Sequence, residues 1–274
     1  MDQFIQGLKN KIQPPLPVFK WLNRGKEKFL CPICKYYGPF VDMNSFAGAR
    51  KHAKCPRCGA LERHRLQYLV LMDLFEKIDF SQLKMLHFAP ERFFKTIFLN
   101  CFGKYETADL SMKNVDYLVD IQELPFEDQT YDFVFASHVL EHIPDDIKAL
   151  REIRRILKPN GIAVLPVPVV CEHTVEYPEA NPSEAYHVRA PGLDYFKRYE
   201  TIFEKVEIRT SDSWPGSHQL FIYEDRSVWP STACPLRPPM RGQKHADFVP
   251  ICHHTMRAAE ANHSMNISPS IARA

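Results

Sequence analysis

Two features of secreted and membrane proteins are missing from this chain of 274 residues. No segment approaches the roughly 18 consecutive uncharged apolar residues that a membrane-spanning helix needs. Residues 1–28 contain no apolar core of a secretory signal peptide. The overall charge imbalance is also small, at +2 at pH 7. We therefore expect a cytoplasmic chain with no membrane partner.

The small net charge conceals three segments of different sign. Residues 1–65 carry a net charge of +9, residues 66–225 a net charge of −11 and residues 226–274 a net charge of +4. This division predicts an N-terminal module, a larger domain over 66–225 and a basic tail. The tail is rich in proline and lacks apolar periodicity, so we expect low order over residues 226–274.

Four of the eight cysteines form two Cys-Pro-x-Cys pairs, and they are Cys31, Cys34, Cys55 and Cys58. Each pair places two thiolates on one tight turn, and two such turns give the four sulfurs of a closed tetrahedral Zn²⁺ site. A cytoplasmic location favours this metal site over disulfides. About 27 residues cannot build a core unaided, so we predict structural Zn²⁺, with iron as the alternative metal.

Basic residues surround the cysteine pairs, and six of them are Arg50, Lys51, Lys54, Arg57, Arg63 and Arg65. They are able to contact phosphate groups of RNA or to dock against the acidic segment of the same chain. A surface that stacks bases would carry a series of aromatic residues, and no such series accompanies the charge here. We therefore favour a structural or substrate-covering module over an RNA-binding one.

Short apolar runs alternate with amphipathic stretches from residue 83 onwards, which predicts an α/β fold with a parallel sheet. The predicted strands cover 84–87, 105–110, 117–120, 132–137 and 162–167, and the predicted helices cover 61–76, 91–100, 145–157 and 192–203. Residues 172–191 are polar and aromatic, and we expect a long loop there. Residues 206–210 and 219–223 are expected to close the sheet as an antiparallel pair.

Six motifs occur in a fixed order, and they read KMLHFAPE at 84–91, ADL at 108–110, DI at 120–121, LPFED at 124–128, YDFVFASHVLEHI at 131–143 and LKPNG at 157–161. This order resembles class I S-adenosylmethionine (SAM)-dependent methyltransferases of the type 11 kind. The stretch CPRCGALERHR at 55–65 resembles a subgroup with an N-terminal four-cysteine, zinc-ribbon-like module. The resemblance implies a Rossmann-like seven-stranded sheet, a transferase activity and SAM as the methyl donor.

The resemblance assigns SAM binding to the loop after the first strand and to three further strand ends. The assigned residues are His87, Phe88, Ala89, Pro90, Glu91, Asp109, Leu110, Asp120, Ile121, Ser137 and His138. Asp109 would accept hydrogen bonds from the ribose hydroxyls. Asp120 and Ile121 would contact adenine. The alternatives are a loop acid at 109 and a turn acid at 120. The loop at 87–91 departs from the family because it lacks glycine.

Methyl transfer is an in-line displacement that depends mainly on positioning donor and acceptor. A general base is needed only if the acceptor loses a proton early, and the candidates are Glu141, His142, His187 and, less directly, His173. We expect a small-molecule or sugar-type acceptor bound near residues 172–191. The alternatives are an RNA methyltransferase and a non-catalytic binding module with a degenerate Rossmann core. A second metal site in the tail matches no usual ligand spacing.

Overall fold

The computed structural model describes residues 24–45, 48–224 and 243–254. The described strands are, in chain order, β1 (Phe29–Leu30), β2 (Tyr37–Gly38), β3 (Val41–Ser45), β4 (Gly48–Lys54), β5 (Lys84–Phe88), β6 (Lys104–Asp109), β7 (Tyr117–Leu118), β8 (Tyr131–Ala136), β9 (Leu157–Val164), β10 (Val175–Asn181), β11 (His187–Ala190), β12 (Lys205–Thr210), β13 (Ile222–Glu224), β14 (Gln243–His245) and β15 (Phe248–His253). The described α-helices are α1 (Glu62–Lys77), α2 (Arg92–Cys101), α3 (Asp146–Ile156) and α4 (Phe196–Glu200). Among these described helices, none combines the length and apolarity needed to span a membrane.

Seven strands form the central sheet in the order β12-β15-β9-β8-β5-β6-β7. The strands from β9 to β7 in this order are parallel to their neighbours, whereas β15 runs antiparallel to both β9 and β12. The inner strands are buried on both faces, as their continuous apolar sequences require. The prediction of a Rossmann-like α/β fold with a seven-stranded sheet is confirmed.

The chain reverses its direction of travel across the sheet at β5. It proceeds from β5 to β6 and β7 on one side, and then crosses back to β8 and β9 on the other. Open α/β sheets bind their ligands outside the carboxyl ends of the strands at such a switch point. The ends of β5, β6 and β8 therefore define where a ligand site is expected.

Helices cover both faces of the central sheet and create two apolar cores. Leu66 of α1 and Phe98 of α2 are fully buried in one core, while Ile153 of α3 and Tyr199 of α4 are fully buried in the other. The helices predicted over 61–76, 91–100 and 145–157 are confirmed, with each end shifted by one residue. The helix predicted over 192–203 is shorter, because a 3₁₀ turn at Leu193–Tyr195 precedes α4.

The N-terminal module is completed by strands from the other end of the chain. β1 pairs with β2, and a separate antiparallel sheet has the order β14-β13-β4-β3. Only β3 and β4 of this sheet come from residues 1–65. The boundary predicted at residue 65 therefore separates strands that pair within one sheet.

Two predictions near the C-terminus are wrong. The segment predicted to close the central sheet at 219–223 contributes β13 instead, which pairs with β4. The position beside β9 and β12 is taken by β15, which lies within the expected low-order tail. Val249 and Ile251 are buried there, but this six-residue strand is too short to stand out in a proline-rich polar context. The remaining tail residues, 226–242 and 255–274, lie outside the described residues.

The expected loop at 172–191 is also corrected by the structure. β10 and β11 pair antiparallel within this segment, with a register irregularity between Glu176 and Asn181. The sequence shows no regular alternation here, because only the β11 side packs inward: β10 is exposed or half-buried, whereas Arg189 and Ala190 of β11 are buried.

Candidate functional site

The turn after β5 accounts for the missing glycine. Ala89 has a φ of +45°, in the left-handed region. That conformation costs a residue with a Cβ atom about 1–2 kcal/mol, which is why glycine is usual there. The Ala89 N–H donates to the carbonyl of Ala108 near the end of β6, at 2.9 Å. The turn thus adopts a glycine-like backbone with the smallest side chain that has a Cβ.

The side chain of His87 does not reach the end of its strand. It is fully buried between the rings of Phe98 and Phe135, with centroid distances of 5.1 and 5.2 Å. Its Nδ1 lies 2.9 Å from the Tyr105 hydroxyl. Burial lowers the pKa of His87 to about 3, so the ring is neutral. Phe88 is buried as well. The two side chains thus pack on opposite faces of the sheet, His87 among the rings of one core and Phe88 in the other.

Glu91 connects the turn to helix α1. Its Oε1 accepts a hydrogen bond from Arg63 Nη2 at 2.9 Å and lies 3.2 Å from His64 Nε2. Burial raises the pKa of Glu91, but His64 and Arg63 outweigh it and hold the value at about 2. Oε2 is buried and accepts no bond from the described residues. Because α1 follows directly after Cys58, this carboxylate ties the cysteine module to the end of β5.

Asp109 ends β6 and is half-buried. Its Oδ1 accepts from the backbone N–H groups of Ser111 and Met112 at 2.7 and 2.6 Å. Its Oδ2 accepts no hydrogen bond from the described residues, which leaves one oxygen for a ribose hydroxyl. The same contacts are those of a loop acid, so both interpretations stay open. Leu110 is 70% exposed.

Asp120 lies in an exposed turn whose contacts resemble those of a structural acid. Its Oδ1 accepts from the Gln122 backbone N–H at 2.8 Å, and the Gln122 Nε2 lies 3.1 Å from both carboxylate oxygens. Ile121 is buried. These bonds leave acceptor capacity on the exposed carboxylate, so a turn acid and an adenine contact are both compatible with its position.

Ser137 and His138 follow the end of β8 and contact their surroundings closely. Ser137 Oγ donates to Oε1 of Gln67, on α1, at 3.2 Å. His138 has a φ of +55°, and its N–H donates to the Pro166 carbonyl at 2.8 Å. Helix α1 therefore borders the ends of both β5 and β8.

The structure brings His187 beside two candidate bases, Glu141 and His142, that lie about 45 positions earlier in the sequence. Glu141, His142 and His187 each offer one ligand atom, and these atoms lie within 4.8 Å of one another. The two imidazole rings are nearly perpendicular, with centroids 4.6 Å apart. His173 is not part of this group: its side chain is 80% exposed, and its Nδ1 lies 3.8 Å from Asp194.

Glu141 is fully buried and close to His138, whose Nδ1 lies 3.2 Å from Oε1. Burial raises the pKa of Glu141, but the interaction with His138 and the charge of His187 bring it below its usual value. We therefore treat Glu141 as a carboxylate. This turn at the carboxyl end of β8 carries a buried negative charge beside imidazole groups.

Sequence reasoning missed the residue that holds this group in place. The Arg189 guanidinium donates to the carbonyls of Leu140, Ile143 and Pro144 at 2.7, 2.5 and 2.9 Å. Its side chain is 3% exposed and pairs with Glu176 across the β10–β11 hairpin. The only sequence signal is an arginine two residues after a candidate histidine, which by itself is unspecific.

Asp247 was also missed, since it lies in the expected tail. It is buried immediately before β15, and burial raises the pKa of its carboxyl, opposed by the charges of His138 and Arg63. The C-terminal segment thus contributes an acidic group on the same side of the sheet as His138.

The four predicted zinc ligands form one cluster. Cys31 Sγ and Cys58 Sγ are 3.6 Å apart, as are Cys34 Sγ and Cys55 Sγ, and all four sulfurs lie within 4.8 Å of one another. Four sulfurs bound to one Zn²⁺ at about 2.3 Å lie about 3.8 Å apart. The cluster therefore fits a tetrahedral ion.

The two cysteine turns repeat the same backbone pattern. The N–H of Cys31 bonds the carbonyl of Tyr36, and the N–H of Cys55 bonds that of Ala60, at 2.8 and 2.9 Å. The residue after each second cysteine is left-handed: Lys35 at φ +58° and Gly59 at φ +81°. A common geometry aims both thiol pairs at one point.

Four of the six basic residues in the module are used within the chain. Arg50 pairs with buried Glu62 at 2.9 Å, Arg63 pairs with Glu91, Arg57 donates to the Cys34 carbonyl at 3.2 Å, and Arg65 is fully buried. Lys51 and Lys54 are exposed. Much of the local positive charge is therefore neutralised by contacts inside the protein.

Comparison with known proteins agrees with this topology. Residues 83–165 match the family model described as a methyltransferase domain. Demethylmenaquinone methyltransferases of Staphylococcus aureus strains JH9 and Newman are each 35% identical over 118 residues, which is 43% of this chain and 43% of theirs. The chain thus spans less than half the length of these curated relatives.

Two solved methyltransferase structures match this chain at low sequence identity. A SAM-dependent methyltransferase from Mesorhizobium loti is 12% identical, with a TM-score of 0.45, 69% of this chain and 97% of that chain covered. A Haemonchus contortus phosphoethanolamine N-methyltransferase, bound to phosphomonomethylethanolamine and S-adenosylhomocysteine, is 18% identical, with a TM-score of 0.45, 68% of this chain and 52% of that chain covered.

Residues 83–165, which contain β5 to β9, thus match a methyltransferase domain and form the parallel part of a Rossmann-like sheet.

Proposed function

We propose that this protein transfers a methyl group from SAM to a small-molecule acceptor, with a sugar-type intermediate as one form, and that Zn²⁺ holds the N-terminal module together. The observation that supports this best is the meeting of three strand ends at the switch point of the sheet. The left-handed turn at Ala89, the carboxylate of Asp109 and the Ser137–His138 turn end β5, β6 and β8, respectively.

The chain's own residues have distinct roles in this proposal. Ala89 lets the backbone approach the donor closely, and Asp109 Oδ2 accepts from a ribose hydroxyl. Glu91 keeps α1 against the turn through Arg63 and His64. SAM supplies an electrophilic methyl group on a sulfonium when bound. Positioning the acceptor in line with that methyl group is then the main task of the enzyme.

The backbone of the turn argues against the alternative of a degenerate, SAM-free core. The absence of glycine was the reason for that alternative, and Ala89 adopts the left-handed conformation regardless. SAM carries no phosphate, so the turn does not need the close backbone contacts that a pyrophosphate demands. A small Cβ atom at this position is compatible with a donor of this kind.

The contacts of the basic residues favour a small-molecule acceptor over RNA. Arg50, Arg63 and Arg65 are bound within the chain and are not available to phosphate groups. The Staphylococcus aureus relatives, by their name, methylate a small molecule, demethylmenaquinone. We therefore expect the acceptor to bind between the β10–β11 hairpin and the end of β8, close to His142 and His187.

Calorimetric titration with S-adenosylhomocysteine tests donor binding. We expect Asp109→Ala to weaken binding by on the order of tenfold to a hundredfold, as for the loss of charge-assisted hydrogen bonds. Glu76→Ala removes an exposed acid at the far end of α1 and serves as the matched control. No binding by the wild type, or equal binding by Asp109→Ala, would contradict the proposal.

Transfer of radiolabelled methyl groups from SAM tests the acceptor. The purified protein is incubated in parallel with a small-molecule extract and with total RNA. We expect label in the small-molecule fraction. Label in RNA, lost when Lys51 and Lys54 are both changed to glutamate, would replace our proposal with the RNA alternative.

A further inference from the structure

A second candidate metal site lies away from the cysteines. Glu141 and His142 belong to the 3₁₀ turn Leu140–His142 that follows β8, and His187 begins β11. One carboxylate oxygen and two imidazole nitrogens lie within 4.8 Å of one another. No other group of three or more metal-ligating side chains besides the cysteines is present in the described ranges.

The buried Glu141 carboxylate lacks the partners that such a group needs. Neither of its oxygens has a well-directed hydrogen bond from the described residues, although His138 Nδ1 lies 3.2 Å from Oε1. Burial of an ionised carboxylate is costly unless it is paired or bound to a metal. A cation between Glu141 and the two histidines would supply the missing partner.

The group is held in place by bonds that do not involve its three members. Arg189 donates to the carbonyls of Leu140, Ile143 and Pro144. Because Arg189 belongs to β11, these bonds fix β11 against the turn that follows β8. The two segments are thus joined by a buried guanidinium regardless of any ion. A ligand set supported in this way is preorganised for binding.

The donor set selects a particular class of ion. Two imidazoles and one carboxylate suit Mn²⁺, Fe²⁺, Co²⁺ or Zn²⁺, whereas Mg²⁺ and Ca²⁺ prefer oxygen ligands. Metal bonds of about 2.0–2.2 Å bring ligand atoms to about 3–3.5 Å from one another, which small side-chain rotations achieve here. His142 is exposed, so positions on the ion stay open to solvent.

We propose that Glu141, His142 and His187 bind one divalent transition-metal ion at the carboxyl end of β8, separate from the ion held by the four cysteines. The site lies three residues beyond His138, beside the strand ends where we expect SAM. Metal binding there is testable without methyl transfer, because the ligands, the bonds from Arg189 and the buried carboxylate belong to the protein itself.

Manganese binding to the full chain tests this proposal. The protein is passed over a chelating resin to remove loosely bound metal, and elemental analysis checks that one Zn²⁺ per chain remains in the cysteine cluster. Mn²⁺ is then titrated in, followed by calorimetry and by loss of the electron paramagnetic resonance signal of free Mn²⁺. We expect one Mn²⁺ per chain in the wild type, bound on the order of a hundredfold more weakly after His142→Ala or His187→Ala.

The controls separate a lost ligand from a folding defect. Buried Glu141 is left unchanged, the exposed His142 is one of the two variants, and circular dichroism checks each protein. His173→Ala removes an exposed histidine outside the group and should bind Mn²⁺ as the wild type does. The site is overturned if the wild type binds no Mn²⁺, or if both histidine variants bind Mn²⁺ as tightly as the wild type. Titration of the resin-treated protein with S-adenosylhomocysteine shows separately whether the donor site stands.

Discussion

Arg65 joins three parts of the chain, and its replacement by methionine is the most informative change in stability. The side chain is fully buried, and its guanidinium lies 4.5 Å from the centre of the Phe40 ring. It donates to the carbonyls of Ala53 and Ala60 in the cysteine module, and to those of His218 and Gln219 before β13. These bonds connect α1, the module and the second sheet.

The expected loss follows from the carbonyls that Arg65→Met leaves without a donor. The Ala60 carbonyl keeps a bond from the Cys55 N–H, but no other bond from the described residues reaches the carbonyls of His218 and Gln219. A buried, unsatisfied acceptor costs about 1–3 kcal/mol. Part of this cost is offset because a buried guanidinium no longer has to be desolvated. We therefore expect a loss of about 3 kcal/mol in the free energy of unfolding.

Urea denaturation followed by circular dichroism, with Zn²⁺ present throughout, measures this loss. In a thermal scan the same loss corresponds to a fall of about 6–12 °C in Tm for a chain of this size. Lys77→Met, an exposed position at the other end of the same helix, is the matched control and should change stability by less than about 0.5 kcal/mol. If the two variants are equally stable, Arg65 does not hold these parts together and the reasoning fails.

Three further predictions concern the turn after β5, the zinc content of the cysteine cluster and the dependence of stability on pH. Ala89→Gly relieves the left-handed strain and should raise stability by about 0.5–1 kcal/mol, and a lower Tm would refute it. Cys31→Ser should abolish stoichiometric zinc in elemental analysis, whereas Cys101→Ser should retain it. His87 is neutral in the fold because burial lowers its pKa from 6.5 to about 3, so the unfolded chain takes up the proton first as pH falls below about 6.5. Stability should therefore drop by about 2 kcal/mol between pH 6.5 and pH 5, above the range of the carboxylates, and His87→Phe should flatten this dependence.

The sequence predicted the parallel half of the sheet because its strands are buried on both faces and so form continuous apolar runs. The helices α1, α2 and α3 were equally clear, since each shows the spacing of one apolar face. The antiparallel strand β15 was missed because its six residues lie in a polar, proline-rich stretch. β15 lies between β9 and β12, and the local sequence of a strand does not show which strands it will pair with.

The candidate site divides in a similar way. Motif order indicated Asp109 and the Ser137–His138 turn, which lie at strand ends, and the spacing of two tight turns indicated the four cysteines. Side-chain direction decided the rest. His87 alternates into the aromatic core rather than toward the strand end, and Asp120 is bound by Gln122.

The sequence by itself determined the α/β class, the four-cysteine cluster and the strand ends at which a ligand is expected, because these follow from local periodicity and spacing. Only the tertiary structure decided which distant groups meet. Arg65 joins the cysteine module to residues 218–219, and Arg189 brings His187 beside Glu141 and His142. Such contacts depend on the path of the chain in space, and residues 45 or 150 positions apart leave no periodic trace in the sequence.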